Sequence, residues 1–227
     1  MAARHLMQRF ARWHIWLGWL AAIPLVLWTV SGLFMTLRPI DQVRGAALRA
    51  EAAPLDTAKL VVPTLTEPAS KLALIDEGGR PVWVASFSDQ GAGRWSAADG
   101  KPLGPVGVIE ARYLAETALA GGARVTAIRR FAADQAPLDL RRERPSWQAQ
   151  FADGTTVYID ADTGEVLALR TGWWRAYDFM WGLHIMDPMG RENTSHVLLW
   201  LFGAVSLVMS LLGTVLLFRR RRAARAV

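Results

Sequence analysis

Histidines next to apolar stretches are the side chains of this sequence best suited to bind a cofactor. His14 stands at the start of the first long apolar stretch, and His184 and His196 stand shortly before or at the second. His5 lies in the amino-terminal tail. Imidazole is an axial ligand of haem iron, and an ionisable side chain at membrane depth is a candidate for function. Such histidines can equally hydrogen-bond lipid headgroups or carboxylates, and the sequence leaves this simpler role open.

Other kinds of catalytic chemistry find no support in the sequence. The chain has no cysteine, which excludes disulfides, thiol chemistry and cysteine-based metal sites. The P-loop, nucleophile-elbow, zinc-protease and dinucleotide-binding motifs are also missing from the sequence. Asp160-x-Asp162 with Gly164 has the spacing that begins a calcium loop, but the further ligands are lacking, so we interpret it as a turn. We therefore predict that the chain is not a self-contained enzyme.

Two apolar stretches are long enough to cross a lipid bilayer. Residues 15–37 and 197–218 contain no charged side chain, and about 20 helical residues cover the roughly 30 Å of the hydrocarbon core. We predict transmembrane helices over residues 14–37 and 196–218. The first stretch is too long for the apolar core of a signal peptide, and Arg38 and Pro39 follow it in place of a small-residue cleavage site. We therefore expect an uncleaved anchor.

The distribution of charge predicts how the chain is oriented. The two tails, residues 1–13 and 219–227, hold 8 of the 26 basic residues and no acidic one, which leaves 18 basic against 20 acidic residues in the middle. Basic flanking segments remain in the cytoplasm. We therefore expect an inner (cytoplasmic) membrane protein with both termini in the cytoplasm and a periplasmic middle domain. The nearly balanced middle argues against a nucleic-acid partner.

The middle of the chain contains an internal repeat. The pattern R-P-x-W-x-A-x-F occurs at residues 80–87 and again at residues 144–151, and each copy is followed by an aspartate, Asp89 or Asp153. A side-chain period of two is typical of strands, and Asp153-Gly154 is typical of a hairpin turn. We predict two small antiparallel meanders, in repeats that cover residues 38–107 and 108–172.

Helical patterns accompany these meanders. Residues 108–119 have one apolar face and predict a helix in front of the second meander. The first repeat has a shorter candidate helix near residues 55–65, interrupted by Pro63. Residues 173–195 begin with an amphipathic pattern that predicts a helix in the membrane–water interface. Packing of this helix on the soluble domain is the alternative.

The second meander and the two ends of the chain resemble known families. Residues 147–166, W-Q-A-Q-F-A-D-G-T-T-V-Y-I-D-A-D-T-G-E-V, resemble the signature of the PepSY domain. The positions that carry this resemblance are Trp147, Asp153, Gly154, Asp160, Asp162 and Gly164. Arg12-Trp13-His14 and Gly182-Leu183-His184 resemble elements of the PepSY-associated transmembrane helix family, here in a short, two-span form. The resemblance implies an α+β extracytoplasmic domain of two PepSY-like repeats, the first divergent, flanked by two transmembrane α-helices.

This resemblance implies two functions. Larger family members with four or more spans resemble haem-containing reductases of ferric siderophores, which favours an electron-transfer or accessory subunit with b-type haem in periplasmic reduction linked to iron uptake. In a two-span chain, His184 and His196 would bind one outer haem, or a parallel homodimer would pair His14 on the inner side and His184 or His196 on the outer side. PepSY domains also occur in protease propeptides. The alternative is therefore a membrane-tethered module that regulates or inhibits a periplasmic protease or another partner protein.

Overall fold

The chain forms two compact units. The computed structural model describes residues 2–51, 54–88 and 91–224; Asp89 of the first repeat and the end of the basic tail lie outside the described residues. One unit comprises the chain up to Arg38 and from Ala176 onward, and the other comprises Pro39–Arg175. The two are described separately below.

The first unit is built on a pair of long apolar helices. Helix α1 spans Ala2–Met35 and helix α5 spans Val197–Ala224. Within them, His5–Met35 and Val197–Phe218 are long and apolar enough to cross a membrane. The two helices pack antiparallel, because His14 of α1 contacts Met209 in the middle of α5, whereas Trp28, further along α1, contacts Phe202 nearer the start of α5. The prediction of two spanning helices is confirmed, and α1 includes most of the predicted basic tail.

The second unit contains two antiparallel four-stranded sheets, each with its strands in chain order. The strands of the first sheet are β1 Lys71–Asp76, β2 Pro81–Ser86, β3 Ala92–Ser96 and β4 Pro102–Leu103. Those of the second sheet are β5 Val125–Phe131, β6 Ser146–Phe151, β7 Thr156–Asp160 and β8 Val166–Arg170. The α+β fold of two meanders between two long helices is confirmed.

The described residues also form three shorter α-helices. They are α2 Ile40–Val43, α3 Val108–Thr117 and α4 Gly172–His184. Helix α3 confirms the helix that was predicted in front of the second meander. The candidate helix near residues 55–65 is wrong, since no helix occurs within residues 54–70. This segment carries Pro54, Pro63 and Pro68, and proline lacks the N–H that a helix needs.

The core of the second unit lies against the second sheet. Helix α3 contributes Ala111, Leu114 and Ala115 to a buried apolar cluster. The sheet contributes Phe151 and Ile159, among others, to the same cluster. A second buried cluster covers the opposite face of the sheet with the residues Leu140, Tyr158, Leu167 and Ala168. Burial on both faces explains why every residue of β7 is buried.

Candidate functional site

His14 lies on α1 with its ring against α5. Its Nδ1 atom is 3.0 Å from the backbone carbonyl oxygen of Met209. A carbonyl oxygen only accepts hydrogen bonds, so Nδ1 carries the proton and donates it. A Cβ added to Gly213 would lie 3.0 Å from Cε1 of the ring. The glycine therefore lets α5 approach the imidazole closely, and the hydrogen bond sets the orientation of the ring.

His184 is the last residue of α4, and its ring lies against α1. It stacks on Trp28 with ring centroids 4.8 Å apart and planes inclined by 17°. Its Nδ1 atom is 3.1 Å from the carbonyl oxygen of Trp28 and 3.2 Å from Oγ of Ser31. Here too the carbonyl requires a proton on Nδ1. A Cβ on Gly32 would lie 3.1 Å from the ring, so this position favours glycine as Gly213 does for His14.

The turn that follows α4 fixes the end of the helix that carries His184. Arg191 donates from Nη1 to Oδ2 of Asp178 at 2.8 Å, and its carbonyl accepts the indole N–H of Trp181 at 3.1 Å. A Cβ on Gly182 would lie 2.7 Å from Cγ of Arg191. The turn can therefore fold back on α4 only because this helical position has no side chain.

Asp187 organises the same turn. Its carboxylate accepts the backbone N–H groups of Gly190 at 3.0 Å and of Glu192 and Asn193 at 3.2 Å. These hydrogen bonds, that of Asn193 first, hold the pKa of Asp187 below its ordinary value. Because one carboxylate accepts three backbone hydrogen bonds, the turn between α4 and α5 has a defined conformation.

His196 differs from the other two histidines in the state of its ring. It stands immediately before α5, and its Nδ1 atom accepts the backbone N–H of Leu198 at 3.3 Å. An accepting Nδ1 has no proton, so the neutral ring carries its proton on Nε2. That nitrogen is then a donor rather than a metal ligand. No hydrogen bond joins the rings of His184 and His196 among the described residues, and the prediction of a haem shared by these two stays a prediction.

The hydrogen bonds of His14 and His184 are arranged as a haem-ligating histidine needs them. A metal-bound histidine uses one ring nitrogen and donates the N–H of the other to a carbonyl, a carboxylate or water. In both residues Nδ1 has this role, and Nε2 has no hydrogen bond within the part of the chain that the structure describes. The two side chains therefore fit ligation of haem iron through Nε2.

The two rings lie near opposite ends of the apolar part of α1, residues 15–35. Ser31, which contacts His184, follows His14 by 17 residues on the same helix. At about 1.5 Å per residue this corresponds to roughly 26 Å along the axis. One iron cannot bridge that distance, so each histidine would need a second ligand from elsewhere. The described residues also contain no group of three or more His, Asp or Glu side chains placed to hold a metal ion.

The aspartates of the PepSY signature build turns. Asp160 is fully buried, and its Oδ1 atom accepts the backbone N–H groups of Asp162 at 2.9 Å and of Thr163 at 3.0 Å. Asp153 accepts the N–H of Thr155 at 2.9 Å. The interpretation of the calcium-like spacing as a turn is consistent with these contacts.

Two glycines and a tryptophan of the signature also have structural positions. Gly154 and Gly164 have φ angles of 81° and 75°, in the left-handed region that glycine adopts without strain. Trp147 donates its indole N–H to the carbonyl of Val106 at 2.9 Å. The signature therefore marks the fold of the second repeat, and it does not converge on a reactive group.

The sequence did not reveal the residues that orient the rings of His14 and His184. They come from distant parts of the chain: Trp28, Ser31, Gly32, Met209 and Gly213. The only signal in the sequence was the presence of small residues in the apolar stretches, which lets helices approach. Nothing in the sequence pairs a particular glycine with a particular histidine.

A buried charge cluster in the second unit was also missed. Arg94 on β3 donates to Glu77 at 3.0 Å and to Glu110 on α3 at 2.6 Å. Glu77 and Arg94 are buried, whereas Arg80, which pairs with both glutamates, is 55% exposed. Burial raises the pKa of Glu110, but hydrogen bonds from Arg94 and Arg80 outweigh it and hold the pKa below its ordinary value. The cluster joins the first sheet to α3.

Comparison with protein families gives one match that covers nearly the whole chain. Residues 11–227 match the family model described as the PepSY-associated TM region. Comparison with curated proteins and with solved structures found no significant match.

Proposed function

Because the chain belongs to the family of the PepSY-associated TM region, we propose that it is a haem-binding electron-transfer or accessory subunit of the inner membrane. Its role would be periplasmic reduction linked to iron or siderophore uptake, as part of a haem-dependent membrane reductase. One observation carries the proposal. His14 and His184, near opposite ends of the apolar part of α1, both donate Nδ1–H to a backbone carbonyl, and their Nε2 atoms have no hydrogen bond among the described residues.

The surroundings of the two histidines prepare them for this role. The carbonyls of Met209 and Trp28 hold the ring proton on Nδ1, so the lone pair of Nε2 is available to a metal. The indole of Trp28 lies flat against His184 and restricts rotation of its ring. Bound haem would supply one-electron transfer. Positioned ligands near both ends of the helix pair suit a path for electrons across the membrane.

A homodimer would complete the coordination. A haem held by two histidines would need a second imidazole beside His14 and another beside His184, and a second parallel copy of the chain would offer both. Four spanning helices would then surround two haems. Light scattering of the haem-loaded protein in detergent measures the mass, and we expect that of two chains. A monomer that carries two six-coordinate haems would contradict this part of the proposal.

The absorption spectrum tests the proposal directly. Full-length protein purified from cells with ample haem should show a Soret band that shifts when dithionite is added. His14→Ala and His184→Ala should each remove about half of the bound haem, because each affects one end. His5→Ala is the matched control, since His5 is an exposed residue of the tail, and it should keep the full haem content. Colourless wild-type protein would overturn the proposal.

The proposed orientation has a separate test. The chain has no cysteine, so single cysteines report on their own accessibility. His5→Cys stands in the tail, and Ala123→Cys stands at an exposed position of the middle domain. In intact spheroplasts, an impermeant maleimide should label position 123 and spare position 5. The reverse pattern would place the tails outside.

A membrane-tethered binding module is the second candidate function. The observation that favours it is an exposed apolar surface at the start of α3, where Val108, Ile109 and Tyr113 are 46%, 84% and 51% exposed. Contiguous apolar surface of this kind is typical of protein interfaces. The partner would be a periplasmic protease or another periplasmic protein, with the two long helices as an anchor.

Crosslinking in cells separates the two candidates. For a binding module, Ile109→Asp should abolish the crosslink to a periplasmic protein, whereas His14→Ala and His184→Ala should leave it intact. Leu138→Asp is the matched control, because Leu138 is also half exposed but lies outside the α3 surface. Recovery of no protein partner would argue against this second candidate.

A further inference from the structure

The amino-terminal end of α1 carries a recess lined by two cations and two indoles. Arg9, Arg12, Trp13 and Trp16 surround a cavity of about 470 Å³ on the outside of the helix. Their spacing of three, four and seven residues places them on one helix face. Trp13 and Trp16 are 63% and 69% exposed. His14 points to α5, so this recess is separate from the candidate haem ligand.

The guanidinium groups of this recess lack a carboxylate partner. The first acidic residue of the sequence is Asp41, and none follows Glu192. Neither Arg9 nor Arg12 forms a hydrogen bond or an ion pair within the described residues, and the indole N–H groups of Trp13 and Trp16 likewise have no acceptor there. Two positive charges and two free donors on one face are complementary to a phosphate group.

The surface next to the recess is apolar. One and two turns beyond Trp16 on the same face lie Leu20 and Ile23, which are 68% and 73% exposed. The recess stands where the apolar stretch of residues 15–37 begins, which is the level of the headgroups when α1 crosses a bilayer. A ligand with a phosphate at one end and a hydrocarbon chain at the other would satisfy both parts.

We infer that this recess is a binding site for an anionic phospholipid. The phosphodiester would lie between Arg9 and Arg12, with the indoles of Trp13 and Trp16 beside it. An acyl chain would run along Leu20 and Ile23. This occupant explains why the cations, the donors and the apolar surface follow one another on a single face. A free phosphate ion would use only the first of these parts.

Native mass spectrometry of the full chain tests the site. Detergent-purified protein is mixed with dioleoyl phosphatidylglycerol or with dioleoyl phosphatidylcholine at equal concentration. We expect phosphatidylglycerol to bind more tightly. The double variant Arg9→Gln with Arg12→Gln should lower the affinity for phosphatidylglycerol roughly thirtyfold, because each arginine near a lipid surface contributes about fivefold. Arg129→Gln with Arg130→Gln removes the same charge from exposed positions of β5 and should leave the affinity unchanged.

Two further measurements separate the lipid from simpler explanations. Trp13→Leu with Trp16→Leu keeps the apolar character of the helix, and should also weaken phosphatidylglycerol. Millimolar inorganic phosphate should not displace the lipid, because it cannot use the apolar surface. Displacement by phosphate, equal binding of both lipids, or equal loss in the two arginine double variants would overturn the inference. Haem content is measured in the same samples, so failure of the lipid site is distinguished from failure of the haem proposal.

Discussion

The two repeats share a local plan but are stabilised by different interactions. In each, the tryptophan of the R-P-x-W pattern donates its indole N–H to an earlier carbonyl, Trp83 to Val61 and Trp147 to Val106, both at 2.9 Å. The second sheet buries apolar side chains on both faces. The first sheet buries the ion pair of Glu77 and Arg94 in addition to apolar side chains such as Val82. The same strand pattern therefore tolerates a buried ion pair beside its apolar side chains.

Helix α3 explains the difference. Its apolar face, with Leu114 at its centre, belongs to the core of the second sheet, and its Glu110 reaches Arg94 of the first. The first repeat has no helix of its own within residues 54–70. One helix therefore packs against both sheets. Its contact with the first sheet is the ion pair of Glu110 and Arg94, which a single substitution can remove.

The largest expected effect comes from the phenylalanines at matching positions of the two repeats. Phe151→Ala removes a ring that is 5% exposed in the apolar core and should lower the free energy of unfolding by about 3–5 kcal/mol. Phe87 is only partly buried, edge-on to Trp95, so Phe87→Ala should cost roughly half as much. Chemical unfolding of the full chain in detergent measures both values. Equal losses would show that the repeats are packed alike.

The buried ion pair should give the next largest effect. Arg94→Met leaves the carboxylate of Glu77 buried with only Arg80 as a partner, and should cost about 3 kcal/mol. Adding Glu77→Leu should restore more than half of the loss, because no unpaired charge remains. Arg124→Met is the control: its ion pair with Glu116 involves an arginine that is 86% exposed, and its loss should cost far less than that of Arg94.

The two tryptophans provide a matched test of the plan that the repeats share. Trp83→Phe and Trp147→Phe each remove one hydrogen bond to a carbonyl and keep most of the ring. Each should cost about 1 kcal/mol, since that is the usual net contribution of such a bond. The same unfolding measurement applies. A loss confined to Trp147→Phe would show that only the second repeat depends on this contact.

The smallest effect should be on the pH dependence of stability. The pKa of Glu110 is lower in the folded chain than its ordinary value, so its contribution is fully present above the ordinary pKa and is lost as pH falls through the lowered one. Glu110→Gln should flatten the stability profile at acidic pH. Glu67→Gln, at an exposed position, is the control and should leave the profile unchanged. The effect is small because Glu110 is partly exposed to solvent.

Most of the secondary structure could be predicted from local patterns. The helix predicted over residues 108–119 is observed as Val108–Thr117, and the hairpin at Asp153-Gly154 is observed between β6 and β7. Both depend on side chains a few residues apart. The helix near residues 55–65 was wrong because its apolar spacing was given more weight than its prolines. The bounds of the predicted domains stay predictions.

The candidate site was less predictable than the fold. The sequence singled out His14, His184 and His196 by their position relative to the apolar stretches. The sequence could not show which ring nitrogen of each histidine carries the proton. The hydrogen-bond partner that decides this lies up to 195 residues away, as Met209 does for His14. The charge cluster escaped for the same reason, since Glu77 and Glu110 belong to different repeats.

The sequence alone determined the two spanning helices, the two meanders and the basic tails, because length, apolar period and charge act over neighbouring residues. Only the tertiary structure decided which ring nitrogen of each histidine is free, and which carboxylates share Arg94. These properties depend on contacts between atoms that the chain brings together by folding. A hydrogen bond to a carbonyl 156 or 195 residues away leaves no pattern in the order of the residues.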